Sequence, residues 1–190
     1  MVSFYFKIAI GLWAAWLVSW QAAALWRSKP TVQAPRRDYR LLFVAIALGF
    51  FFMFNGIPRL MWPTLWPVTP VLGWSMEAVI VIGIAFAWWA RVHLGKLWSG
   101  GIERMAEHRV VDTGPYALVR HPIYTGMILA AIGIAVIRAT PWALLGAGLM
   151  ALGFALKAKV EERFLEGEIG GYDAYRARVP MIVPFLPTRS

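Results

Sequence analysis

Cysteine is absent from the 190 residues. That excludes disulfides, thiolate catalysis and cysteine-ligated metal sites. Charge is scarce: 15% of residues are charged, where a soluble domain carries about a quarter. Acidic residues are scarcer still, ten against nineteen Lys and Arg, for a net charge of +9. The basic residues lie between apolar segments rather than along one stripe, so no nucleic-acid partner is expected. His93 and His108 have no carboxylate or cysteine at ligand spacing, and no metal site is assigned. No G-x-G-x-x-G follows a strand, which excludes a soluble nucleotide-binding domain. Tandem repeats and low-complexity tracts are also missing.

What is present is apolar. Hydrophobic residues make up 59% of the chain, mean hydropathy is +0.59, and there are 11 Trp. Indole rings favour the lipid–water interface. Runs long enough to approach a hydrocarbon core of roughly 30 Å occur at Ile8–Trp26, Leu41–Ile57, Val71–Ala90, Ile123–Ile137 and Ala139–Leu156. Pro58 ends the second. Arg138 splits the last two, with Pro141 suited to a helix start, so they are expected to form a hairpin. The expected fold is an all-α integral membrane protein of five transmembrane helices with a cytoplasmic amphipathic C-terminal segment. Val160 and Phe164 recur at helical spacing, Gly170-Gly171 ends that helix, Tyr172 to Val179 forms a second amphipathic piece, and the apolar Pro180–Pro187 end is expected to meet the interface.

With the N-terminus outside, sixteen of the nineteen basic residues fall on one side, leaving Lys7, Arg59 and Arg138 on the other. The positive-inside rule then places the C-terminus in the cytoplasm. Ala22-Ala23-Ala24 resembles a signal-peptide cleavage site, but the basic residues follow the apolar run instead of preceding it, so the segment is expected to remain as an anchor. Glu77, near the outer end of the third span, is expected at the interface. Gly146-x-Gly148 and Gly153 fit close helix packing.

The polar chemistry gathers in the Arg91–His121 loop and the tail from Lys157. Pro122 suits the first helical position, so Arg120 and His121 precede a helix N-terminus, where free N–H groups attract a carboxylate or phosphate. Glu161-Glu162 follows a hairpin that returns the chain to the same face. A cationic patch beside two carboxylates suits a zwitterionic small molecule.

Leu94-Gly95 with Trp98-Ser99, Gly114-Pro115-Tyr116, Arg120-His121-Pro122-x-Tyr124-x-Gly126, Glu161-Glu162, and Tyr172-x-x-Tyr175 before Val179-Pro180 stand in order. Together they resemble the isoprenylcysteine carboxyl methyltransferase family, related to membrane phospholipid methyltransferases, over roughly Arg91 to Pro187. The resemblance implies an S-adenosylmethionine-dependent membrane methyltransferase, with residues 1–90 as N-terminal membrane helices and 91–190 as the methyltransferase core. It maps cofactor binding onto Gly114, Pro115, Tyr116, Arg120, His121, Pro122, Tyr124, Glu161 and Glu162, and catalytic roles onto Lys157 and Glu162. Lys157 is the nearest match to an arginine of the eukaryotic enzymes, and lysine lacks the planar fork that grips a carboxylate.

The implied acceptor is a lipophilic molecule entering from the bilayer, methylated on a carboxylate. An amino-lipid acceptor would instead need a base, His121 or Glu162. An NADPH-dependent sterol-type reductase and a non-catalytic membrane binding protein are the readings of other classes. The expected location is a prokaryotic inner membrane, among membrane lipids.

Overall fold

A computed structural model describes residues 4–26, 30–33, 40–54, 64–99, 101, 103–105, 110–168 and 170–186. Arg27, Lys29, Arg36, Arg37, Pro58, Arg59, His108, Arg109, Pro187 and Arg189 lie outside them. Among the described residues six α-helices occur in chain order: α1 (Phe4–Ala24), α2 (Arg40–Phe54), α3 (Pro70–Leu94), α4 (Pro122–Arg138), α5 (Pro141–Glu168) and α6 (Tyr172–Arg178). The helical class is as expected. One small addition was not: β1 (Pro30–Gln33) and β2 (Glu103–Met105) pair antiparallel, joining the first and third loops.

The helix ends follow from their sequences. Pro70 opens α3, and the Thr69 hydroxyl accepts from the Leu72 N–H at 3.3 Å, satisfying a donor that the first turn leaves free. Pro122 and Pro141 open α4 and α5, where a missing N–H costs nothing. Ala139 reverses the chain in the left-handed region, φ 49°, and its carbonyl accepts from the Leu65 N–H at 2.8 Å.

Two of the helices, across Pro70–Leu97 and Pro141–Glu166, are long and apolar enough to cross a membrane, while Arg40–Phe54 and Pro122–Arg138 are apolar but shorter. α3 packs along α4, α4 returns as α5, α2 lies against α5, and α1 rests on α3 and α4. Glycines permit the two closest crossings. A Cβ on Gly83 would meet the Gly126 carbonyl at 2.5 Å, and one on Gly146 would meet the Gly49 carbonyl at 2.6 Å. Gly153 faces Ile46, but Gly148 has open space around it, so only part of the expected glycine packing is realised.

The core joins Phe6, Ala9 and Trp13 of α1 to Ile80 and Ala87 of α3 and to Met127, Ala130 and Ile134 of α4. Glu77 corrects an expectation. It is 4% exposed, inside the bundle, and neither carboxyl oxygen has a hydrogen-bond partner among the described residues. α1 covers a position that the third span alone would leave near the rim.

Candidate active site

The α4–α5 hairpin carries His121 and the acidic pair back to one end of the bundle. His121 caps α4 without a side-chain bond to it, which leaves its ring free to turn towards α5. Its Nε2 lies 3.0 Å from Glu162 Oε1 and its Nδ1 lies 3.6 Å from Glu161 Oε2. Arg120 grips Glu162 with both arms of its fork, Nε to Oε1 at 2.7 Å and Nη2 to Oε2 at 3.0 Å. Its remaining arm donates to the Arg176 carbonyl at 2.9 Å and to the Val179 carbonyl. The pair is buried, with side chains 8% and 6% exposed, where a charge must be matched to be tolerated.

Glu161 has a different set of partners. The Tyr124 hydroxyl donates to its Oε2 at 2.7 Å, and Lys157 Nζ donates to that hydroxyl at 2.7 Å while standing 3.5 Å from Glu161 Oε1. Tyr124 is held by stacking between His121, with centroids 5.3 Å apart, and Phe154, at 4.9 Å. Lys157 and Glu161 are one helical turn apart on α5, which puts them on the same face.

These groups border a cavity of about 410 Å³, within the range of small-molecule sites. Its polar lining is Arg120, His121, Tyr124, Lys157 and Glu161. Its apolar lining includes Trp16, Trp20, Phe43, Leu94, Trp98 and Phe164, with the Phe43 ring centroid 5.6 Å from Lys157 Nζ. Tyr116, Tyr172 and Tyr175 close it from the third loop and α6. Burial pushes all three phenols above their ordinary range, so they remain O–H groups, and the Tyr175 hydroxyl donates to the Tyr116 carbonyl at 2.7 Å.

Of the residues expected to form the site, Tyr116, Arg120, His121, Pro122, Tyr124, Lys157 and Glu161 border the cavity. Gly114, Pro115 and Glu162 stand behind its wall. Gly114 holds the turn with φ 58°, and a Cβ there would press on the His93 ring at 2.8 Å. The backbone donors before α4 are not free as expected. Arg120 N–H goes to the Pro180 carbonyl at 2.8 Å and His121 N–H to the Met181 carbonyl at 3.0 Å, so the tail, not an external anion, takes them.

Trp16, Trp20 and Phe43 were missed because they precede the region that carries the resemblance; the spacing of Trp13, Trp16 and Trp20 on one face of α1 was the available signal. Arg91 stands in the sequence at the start of a basic loop, yet it is 1% exposed in the last turn of α3. It donates to the carbonyls of Ala23, Trp26 and Gly95 at 2.6, 2.8 and 2.7 Å, and its guanidinium lies 4.5 Å from the Trp98 ring centroid.

Residues 76–167, from the second turn of α3 almost to the end of α5, match the isoprenylcysteine carboxyl methyltransferase family model. Over this stretch, just under half of its length, the chain is similar to that family. It is 32% identical over 111 residues to protein-S-isoprenylcysteine O-methyltransferase B of Arabidopsis thaliana, covering 57% of this chain and 51% of that protein. It is 30% identical over 178 residues to methanethiol S-methyltransferase 2 of Bradyrhizobium diazoefficiens, covering 86% of this chain and 65% of that one. The chain thus spans about half the length of the plant relative. The solved eukaryotic intramembrane Ras methyltransferase of the same family shares its fold, with a TM-score of 0.51 at 22% identity, covering 82% of this chain and 55% of the other. The family fold is a membrane fold of helices, and the cavity lies within the matched region and the helices flanking it.

Proposed function

We propose that this chain transfers a methyl group from S-adenosylmethionine to a lipophilic acceptor that enters from the bilayer. The observation that carries the reading is the Lys157–Tyr124–Glu161 chain in a cavity otherwise lined largely by aromatic and aliphatic side chains. The Glu161 carboxylate beside the His121 ring suits the ammonium end of the cofactor, flat aromatic walls suit its adenine, and Lys157 is left for the acceptor. When bound, the cofactor supplies a methyl already activated by the sulfonium.

The protein's own work is then to bind, orient and exclude water. Arg120 and Glu162 neutralise each other, and Glu162, behind the cavity wall, braces His121 as a positioning residue. Tyr116, Arg120, His121, Pro122, Tyr124 and Glu161 touch the cofactor, while Gly114 and Pro115 shape the turn that presents Tyr116. Lys157 faces the acceptor. A carboxylate acceptor is already ionised and needs no base, and Lys157 would hold it as a point charge. A thiol acceptor is the second reading, favoured by the long alignment with the methanethiol enzyme. In either case residues 91–190 form the methyltransferase core, residues 1–90 supply membrane helices and part of the cavity's aromatic lining, and five spans place the N-terminus outside a prokaryotic inner membrane.

Calorimetry on detergent-purified protein tests the cofactor. S-adenosylhomocysteine should bind, and His121→Ala and Glu161→Ala should each weaken it by about tenfold or more, the scale of one charged hydrogen bond. No heat with this ligand but binding of NADPH would overturn the reading. Methyl-labelled cofactor added with a total lipid extract identifies the acceptor class: base-labile label marks an ester, base-stable label an amine or sulfur product.

A further inference from the structure

After α6 the chain becomes an apolar strap tied to the start of α4. Its partners follow its own order. Pro180 O accepts from Arg120 N at 2.8 Å, Met181 O from His121 N at 3.0 Å, and Ile182 O from Thr125 Oγ1 at 2.6 Å. Thr125 lies four residues into the helix from His121, about 6 Å at about 1.5 Å per residue. The strap therefore runs along α4 towards the apolar body of that helix as it reaches Val183.

Beyond Ile182 the described residues leave the strap's large apolar side chains largely uncovered. Val183, Phe185 and Leu186 are 52%, 92% and 55% exposed. Phe185 adopts the left-handed region, φ 64°, uncommon for an aromatic residue. Pro180 and Pro184 carry no backbone N–H, which removes two donors that would need a partner away from water. On the polar side, α6 presents Arg178, 67% exposed and 3.3 Å from Asp112, a charge placed to face headgroups.

We propose that Val183, Phe185 and Leu186 form a tip that inserts into the lipid leaflet at the α4 start, and that this insertion holds residues 180–182 against Arg120 and His121. The tip is a lipid-binding surface distinct from the cavity. Only its effect on ligand affinity rests on the proposed methyltransferase function.

The absence of cysteine makes the test direct. Phe185→Cys carrying a nitroxide label is placed in lipid nanodiscs, beside Val81→Cys on the exposed face of α3 and Asp173→Cys on the exposed face of α6. Insertion predicts that collision with oxygen exceeds collision with a water-soluble nickel chelate at 185, as at 81 and unlike 173. A value like that at 173 overturns the proposal. So does protection from both reagents with spin–spin broadening that disappears on dilution with unlabelled protein, because a second copy would then be the cover.

For the strap, S-adenosylhomocysteine is titrated in nanodiscs. Phe185→Asp should weaken binding at least about fivefold and Phe185→Leu by less than about twofold, the scale of losing an ordered loop. Equal affinities would overturn the strap's role and leave the depth measurement to decide insertion. If the unaltered protein binds no S-adenosylhomocysteine, the proposed function fails, while the label at 185 still reports on the tip.

Discussion

At the scale of single residues, adjacent acids have unlike partners. Glu162 is locked by the Arg120 fork and His121, whereas Glu161 faces Lys157 and Tyr124 across the cavity wall. They sit about 100° apart on one helix, so neighbours in sequence serve different surfaces. Removing one member of a buried ion pair leaves an uncompensated charge. Glu162→Ala is therefore expected to lower stability by about 3–5 kcal/mol, seen as a fall in melting temperature in detergent, with part of the loss recovered in Glu162→Gln. An unchanged melting temperature in Glu162→Ala would show that Arg120 finds other partners. Sequence placed both acids at the cofactor and a catalytic role on Glu162, because nothing in a dipeptide says which helix each side chain will meet.

At the scale of helices, the site depends on how closely α3 approaches α4. Gly83 and Gly126 face one another, and neither has room for a Cβ without displacing backbone. Gly126→Ala should cost about 1–3 kcal/mol through overpacking and disturb the first turn of α4, where His121 and Tyr124 sit. Gly148→Ala meets nothing within 4 Å and should leave the melting temperature unchanged or slightly higher, since alanine is the better helix former. The two variants share a chemical change and differ only in their surroundings. Helix starts were legible because Pro70, Pro122 and Pro141 declare them, and the α4–α5 hairpin because only Ala139 and Thr140 separate its helices. Crossing partners were not, since Gly146 and Gly148 look alike until α2 lies against one of them.

At the scale of the whole molecule, the cavity brings polar groups of α4 and α5 together with aromatic side chains supplied partly by α1 and α2. That arrangement predicts a sidedness. With no native cysteine to interfere, Lys159→Cys and Lys7→Cys can be probed in intact cells with a membrane-impermeant thiol reagent. N-out, C-in orientation predicts labelling at 7 and protection at 159 until the membrane is opened; the reverse pattern would invert the topology. Apolar runs, prolines and the ordered polar motifs determined the helical membrane class, the hairpin and the residues that gather at its end, because chain connectivity and water's exclusion of apolar surface act locally. Tertiary structure alone decided that Glu77 and Arg91 are buried, that Glu162 braces while Glu161 faces the cavity, and that the tail takes the donors before α4. Those outcomes depend on which surfaces meet across tens of residues, and no local pattern encodes that pairing.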